Sequence, residues 1–204
     1  MKKKAARKGP RRVLVLCGSP RPRGNTNTVV GWFGQGAGQA GARVDVVDLA
    51  RLKFKSNGCL CCMRCQKSDR YECAVRDDAR PVLASMPDYD VLVFATPVYF
   101  FGPTAQLKLL LDRMYCLFKF DRPGPGFGCA FRHATLGLIS TAGDGLGGGL
   151  GALAESFRIL SRFTGCKLKT LLVPSAPQDP RELANNAALR KKAIAFGRRL
   201  GARA

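Results

Sequence analysis

The sequence predicts an α/β fold: a three-layer sandwich with a five-stranded parallel sheet in the order 2-1-3-4-5 and helices on both faces. Three observations carry this. Apolar runs of strand length alternate five times with helix-length stretches, the pattern of βα units around a parallel sheet. The run 90–95 is apolar from Val91 to Ala95, as a strand covered on both faces must be. A turn rich in glycine, hydroxyls and amides, 17–28, leaves the first strand, and in this order the switch point lies between strands 1 and 3.

The elements follow in order. Residues 2–12 hold Lys2, Lys3, Lys4, Arg7, Lys8, Arg11 and Arg12 and no acid. No apolar run follows the charges, so they are not a secretory signal. With no nucleic-acid fold signature beside them, residues 1–11 read as a basic, disordered tail before a single domain, 12–204. Val13 to Leu16 form strand 1. A helix over 26–41 carries Val29, Val30, Phe33 and Ala37 on one stripe, with Trp32 as helix packing. Strand 2 spans 43–49, and a cysteine-rich insertion occupies 55–76. Asp77 and Asp78 read as caps of a short helix that stops near Pro87. After strand 3 comes a loop, 96–102, then a helix with Pro103 in its first turn and Leu107, Leu110, Leu111 and Met114 on one face. Residues 115–133 form a long aromatic connection, expected to be functional or an interface. Strand 4 spans 134–140, a glycine loop 141–151, a helix 152–163 and strand 5 167–173. A closing helix runs over 183–200.

The chain of 204 residues is 46% apolar, enough for one full core. It holds no apolar run long enough to span a bilayer, so a cytoplasmic protein without a membrane partner is expected. The net charge of +20 suits anionic ligands without selecting one. Nine cysteines in such a chain are not expected to pair as disulfides.

Three loops with distinctive chemistry leave the carboxyl ends of the strands: 17–28, 96–102 and 141–149. The first is a phosphate cradle: Ser19, Thr26 and Thr28 offer hydroxyls, and Asn25 and Asn27 offer amides, at a helix start. It is not the loop of a P-loop nucleotidase. Five residues separate Gly18 from Gly24, and Asn25 and Thr26 follow where Lys and Ser/Thr belong. Gly143, Gly145 and Gly148 match a dinucleotide fingerprint, but in the fourth βα unit and without the acid that a ribose needs. Flavin mononucleotide (FMN) fits all three loops. Its phosphate suits a cradle without lysine, Tyr99 and Phe100 can cover its ring, Pro97 stiffens the approach, and the glycines admit backbone to the ring edge. No side-chain catalytic residue is expected, because the flavin carries the chemistry. The tight run Cys59, Cys62, Cys65, followed by Cys73, suits a [4Fe–4S] cluster; zinc and free or redox-active thiols remain alternatives. Cys61 is an extra thiol. Cys17, Cys116, Cys129 and Cys166 read as small buried hydrophobes, and His133 as structural or surface.

Gly18 to Arg21 with Gly24 to Thr26, Thr96 to Tyr99, Lys108 with Asp112 and Arg113, and the cysteines ahead of Asp77 resemble the NADPH-dependent FMN reductase-like branch of the flavodoxin-like superfamily, and within it the iron–sulfur flavoproteins. The resemblance implies noncovalent FMN with Ser19, Arg21, Asn25, Thr26 and Asn27 on the phosphate. It places Thr96, Pro97, Val98, Tyr99 and Phe100, with Thr141, Gly143, Asp144, Gly145 and Gly147, around the ring. It implies NAD(P)H as donor to a flavin, quinone or similar acceptor, or else a ferredoxin-like partner feeding a cluster. A homodimer or homotetramer is implied as well.

Overall fold

The structure, a computed structural model, describes residues 9–120 and 126–203. Its elements are β1 (Arg12–Cys17), α1 (Asn25–Gln39), β2 (Arg43–Asp48), α2 (Ala79–Ser85), β3 (Val91–Tyr99), β4 (Gly102–Pro103), α3 (Ala105–Arg113), β5 (Phe118–Lys119), β6 (Gly128–Cys129), β7 (Thr135–Thr141), α4 (Gly151–Thr164), β8 (Leu168–Val173), α5 (Pro180–Ala184) and α6 (Ala187–Gly201). The sheet runs β2-β1-β3-β7-β8 with every neighbour parallel, which is the predicted order. The residues of the predicted tail fall mostly outside the described chain. Arg11 is held, its guanidinium donating to the Ala202 carbonyl. Among the described residues no helix is long and apolar enough to cross a membrane.

Strand periodicity divides the core between two faces. Leu14, Leu16, Leu92, Phe94, Leu136 and Leu138 face α2, α3 and α4, meeting Leu83, Leu107, Leu110 and Phe157. Val13, Val15, Val91, Val93 and Ile139 face the other way, toward Val29, Phe33, Phe196 and Leu200 of α1 and α6. These two helices touch backbone to backbone. A Cβ on Gly197 would stand 2.0 Å from the Phe33 carbonyl oxygen, and one on Gly36 2.0 Å from that of Ile194. Gly197→Ala should therefore cost about 1–3 kcal/mol, seen as a lower urea midpoint with an unchanged slope.

Several boundaries differ from expectation, each for a local reason. β3 continues through the predicted loop to Tyr99 and folds back as a hairpin, Val98 pairing with Pro103 and Tyr99 with Gly102. Pro103 thus belongs to β4 and not to a first helical turn. Thr104 caps α3 instead, its hydroxyl oxygen accepting from Leu107 N–H at 3.4 Å. Phe100 and Phe101 make the turn with φ of 45° and 67°, the positive values that a two-residue hairpin turn requires. The closing helix is two helices, because Asn186 caps α6 by accepting from Leu189 N–H at 2.9 Å. The acids before α2 do not cap it. Asp77 pairs with Arg113, and Asp78 accepts from Lys53 N–H at 2.9 Å.

Candidate functional site

The turn after β1 is pinned from both sides. Gly18 N–H donates to the Ala95 carbonyl at 2.8 Å, and the Thr104 hydroxyl donates to the Gly18 carbonyl at 2.7 Å. A Cβ on Gly18 would fall 2.7 Å from Leu107 Cβ, so α3 packs here only against glycine. Gly24 N–H closes the loop onto the Arg21 carbonyl at 2.8 Å, and Asn27 Nδ2 donates to that carbonyl at 2.8 Å. Helix α1 then begins with Gly24 at its N-cap and no side-chain cap, unlike α3, α5 and α6. The first N–H groups of a helix have no partner within it, so this uncapped, 15-residue helix turns bare donors and its positive dipole end outward.

Beside this end lies a cleft of about 170 Å³ at the carboxyl rim of β1, β3, β7 and β8. Of the predicted residues it gathers Ser19, Arg21, Asn25, Thr26, Pro97, Val98, Tyr99, Thr141 and Gly143. The Thr26 and Thr141 hydroxyls share a buried hydrogen bond of 2.8 Å that ties the first loop to the third. Asn25 Nδ2 donates to the Pro177 carbonyl at 2.6 Å, while its buried Oδ1 has no partner. An uncapped helix end for an anion and an orphaned acceptor for a hydroxyl fit the phosphate and polyol chain of FMN.

The cleft does not gather six others. Asn27 braces the loop, its Oδ1 accepting from the Cys17 thiol at 3.2 Å. Thr96 is wholly buried and accepts from Thr104 N–H at 3.1 Å, so it orients the hairpin behind the cleft. Phe100 is 96% exposed at the hairpin tip. Asp144 bonds Gly145 N–H at 2.7 Å and, with Gly145 and Gly147, lies outside the lining. Sequence reasoning missed Gly24, Ala142 and the segment 176–178. The position of that segment just after the last strand was a usable signal, because it leaves the same edge of the sheet.

A second cavity is walled by Cys59, Cys61, Cys62, Cys65, Cys73 and Cys116, with Arg113 and Tyr115. Cys116, read as a scattered hydrophobe, is indeed buried but belongs to this group. The loop is fastened from outside. Gln66 Nε2 donates to the Phe118 carbonyl at 3.0 Å, and Lys119 Nζ donates to the carbonyls of Ser68 (2.6 Å), Arg70 (2.9 Å) and Cys65. Burial pushes the Cys65 thiol up, and pushes Cys116 up to about 12, with Cys73 and Cys65 adding to it. Among the described residues no three metal-ligating side chains are gathered as a single-ion site. The donor set is thiols around one space, which suits a polynuclear group better than one tetrahedral ion.

The description NADPH-dependent FMN reductase matches residues 11–176, most of the chain and all three predicted loops. The chain belongs to the NADPH-dependent FMN reductase family. Within reach of this family, it is 34% identical over 102 residues to an iron–sulfur flavoprotein of Methanocaldococcus jannaschii, covering 50% of this chain and 51% of the relative. An iron–sulfur flavoprotein of Methanosarcina thermophila is 29% identical over 106 residues, 52% of this chain and 53% of the relative. The chain thus spans about half the length of the curated relatives it matches. An NAD(P)H:quinone oxidoreductase from Methanothermobacter marburgensis shares the fold with a TM-score of 0.72 at 19% identity, covering 96% of this chain and 100% of that one. An FMN-dependent NADH-azoreductase from Bacillus anthracis, solved with FMN, shares it with a TM-score of 0.65 at 13% identity, covering 93% and 99%.

Proposed function

We propose that the chain is an FMN-dependent oxidoreductase that takes electrons from NAD(P)H and delivers them to a flavin, quinone or similar acceptor. One observation carries this reading: an uncapped helix N-terminus, an orphaned Asn25 Oδ1 and the Pro97–Tyr99 backbone meet in one cleft at the switch point of the sheet. Bound FMN supplies hydride acceptance at N5 and electron release to the acceptor. The residues of the chain bind and orient it. Ser19, Arg21, Asn25 and Thr26 hold the phosphate and its linker, Val98 and Tyr99 line the ring position, and Thr141 and Gly143 close the far side. Exposed arginines at 21, 23 and 181 beside the cradle suit the phosphates of NADPH. Rapid mixing of the FMN-loaded protein with NADPH should bleach the flavin band within seconds; a band unchanged over minutes rejects the reading.

The cysteine cavity and the names of the relatives favour a second reading, an electron carrier in which Cys59, Cys62, Cys65 and Cys73 hold a [4Fe–4S] cluster fed by a ferredoxin-like partner. The cluster would supply single-electron transfer. It predicts fast reduction by reduced ferredoxin and slow reduction by NADPH; equal or faster reduction by NADPH counts against it. Either reading expects a cytoplasmic homodimer or homotetramer, which light scattering would measure.

A further inference from the structure

Arg113 heads the fully buried side chains of the described residues by volume, at 1% exposure. Two of its nitrogens are taken. Nη1 and Nη2 donate to Asp77 Oδ2 and Oδ1 at 2.6 and 2.8 Å, and Nη2 also reaches the Val75 carbonyl at 3.3 Å. Its Nε is buried with no partner. A buried N–H without an acceptor costs about 1–3 kcal/mol, so its survival in an otherwise satisfied network points to an acceptor supplied from outside the chain. The same side chain forms part of the wall of the cysteine cavity, while Asp77 does not. The pair therefore stands with its positive end toward the thiols. Lys119, 2% exposed, brings a second buried cation to the other side of the loop through the Cys65 carbonyl.

We propose that Arg113 Nε–H is the hydrogen-bond donor to the metal–thiolate group held by Cys59, Cys62, Cys65 and Cys73, and that the Arg113–Asp77 pair raises the one-electron potential of that group. The inference rests on the cluster reading above. One-electron reduction adds one negative charge to a group already carrying four thiolates, and takes up no proton. A donor N–H and the positive end of an ion pair stabilise the more negative state, and hydrogen bonds to cluster sulfurs are among the levers that set such potentials. Burial works against the charge of Arg113, but Asp77 and the Cys73 sulfur outweigh it, so the guanidinium stays charged.

The test uses the full chain purified anaerobically, with iron and acid-labile sulfide analysis and a dithionite titration followed by electron paramagnetic resonance. The double variant Arg113→Gln with Asp77→Asn removes the pair without stranding either charge. It should retain the cluster, with its reduction equilibrium shifted at least tenfold toward the oxidised form, about 59 mV for a one-electron couple. A folded, flavin-binding double variant that has lost its iron also supports the donor, because retention then depends on it. If the double variant does not fold, Arg113→Lys takes its place; it keeps the charge, lacks Nε–H, and should shift the potential the same way by a smaller factor. An iron-loaded variant with the wild-type potential overturns the role of Arg113 and leaves the cluster reading standing. Wild-type protein with less than about one iron per chain overturns the cluster reading and this inference with it.

Discussion

Asp77→Ala should cost the protein about 3–5 kcal/mol, enough to unfold a chain of ordinary stability. Asp77 and Arg113 are both fully buried as side chains, with a contact of 2.6 Å. Removing the carboxylate leaves the guanidinium enclosed and uncompensated, which is the costly way to break a buried pair. It also frees Lys55 N–H, which donates to Asp77 Oδ2 at 2.9 Å and fastens the start of the cysteine loop. Burial opposes the charge of Asp77, but the bonds from Arg113 and Lys55 outweigh it and hold the carboxyl below its ordinary value of 3.8. A depressed folded-state pKa contributes stability that is fully present above the unfolded value. That contribution is lost as pH falls below about 3.8 toward the folded value. Urea midpoints at neutral pH read the first effect. Midpoints stepped downward in pH read the second, and they should fall less steeply below the ordinary aspartate range in Asp77→Asn than in the parent.

Ser19→Ala should weaken FMN about 10- to 100-fold and leave riboflavin unchanged. Ser19 is 4% exposed and lines the cleft, yet its hydroxyl makes only long contacts of 3.4 Å with Arg21. It is thus free to turn to a phosphate, and a hydrogen bond to a charged group contributes about 1.5–3 kcal/mol. Riboflavin lacks the phosphate, so a loss confined to FMN assigns Ser19 to that end. Equal losses for both flavins would move Ser19 to the ring or the polyol. Fluorescence titration of the apoprotein with each flavin gives both constants.

The sheet order was legible because it rests on short-range pattern. Val13 to Leu16 and Val91 to Ala95 show which segments are enclosed, and the parallel crossover then allows few arrangements. The cradle was legible for the same reason, as its residues are consecutive. Contacts made across the chain were not. Asp77 looks like a cap until Arg113, 36 positions later, reaches it. Cys116 looks isolated until the loop around 59–73 folds over it. Thr96 and Phe100 sit in a motif whose composition suggests a ligand, but the positive φ of Phe100 and Phe101 extends β3 and turns the tip outward. No local pattern predicts two phenylalanines in that conformation, which glycine and asparagine ordinarily take. The segment 176–178 has no motif, and it enters the site only because Asn25 bonds the Pro177 carbonyl.

Titration of the purified apoprotein with FMN tests the central claim most directly. Quenching of flavin fluorescence that saturates at about one FMN per chain, and that weakens in Ser19→Ala, is the predicted result. Flavin that keeps its free fluorescence at every ratio, with protein that remains colourless after desalting, would contradict the assignment of the cleft.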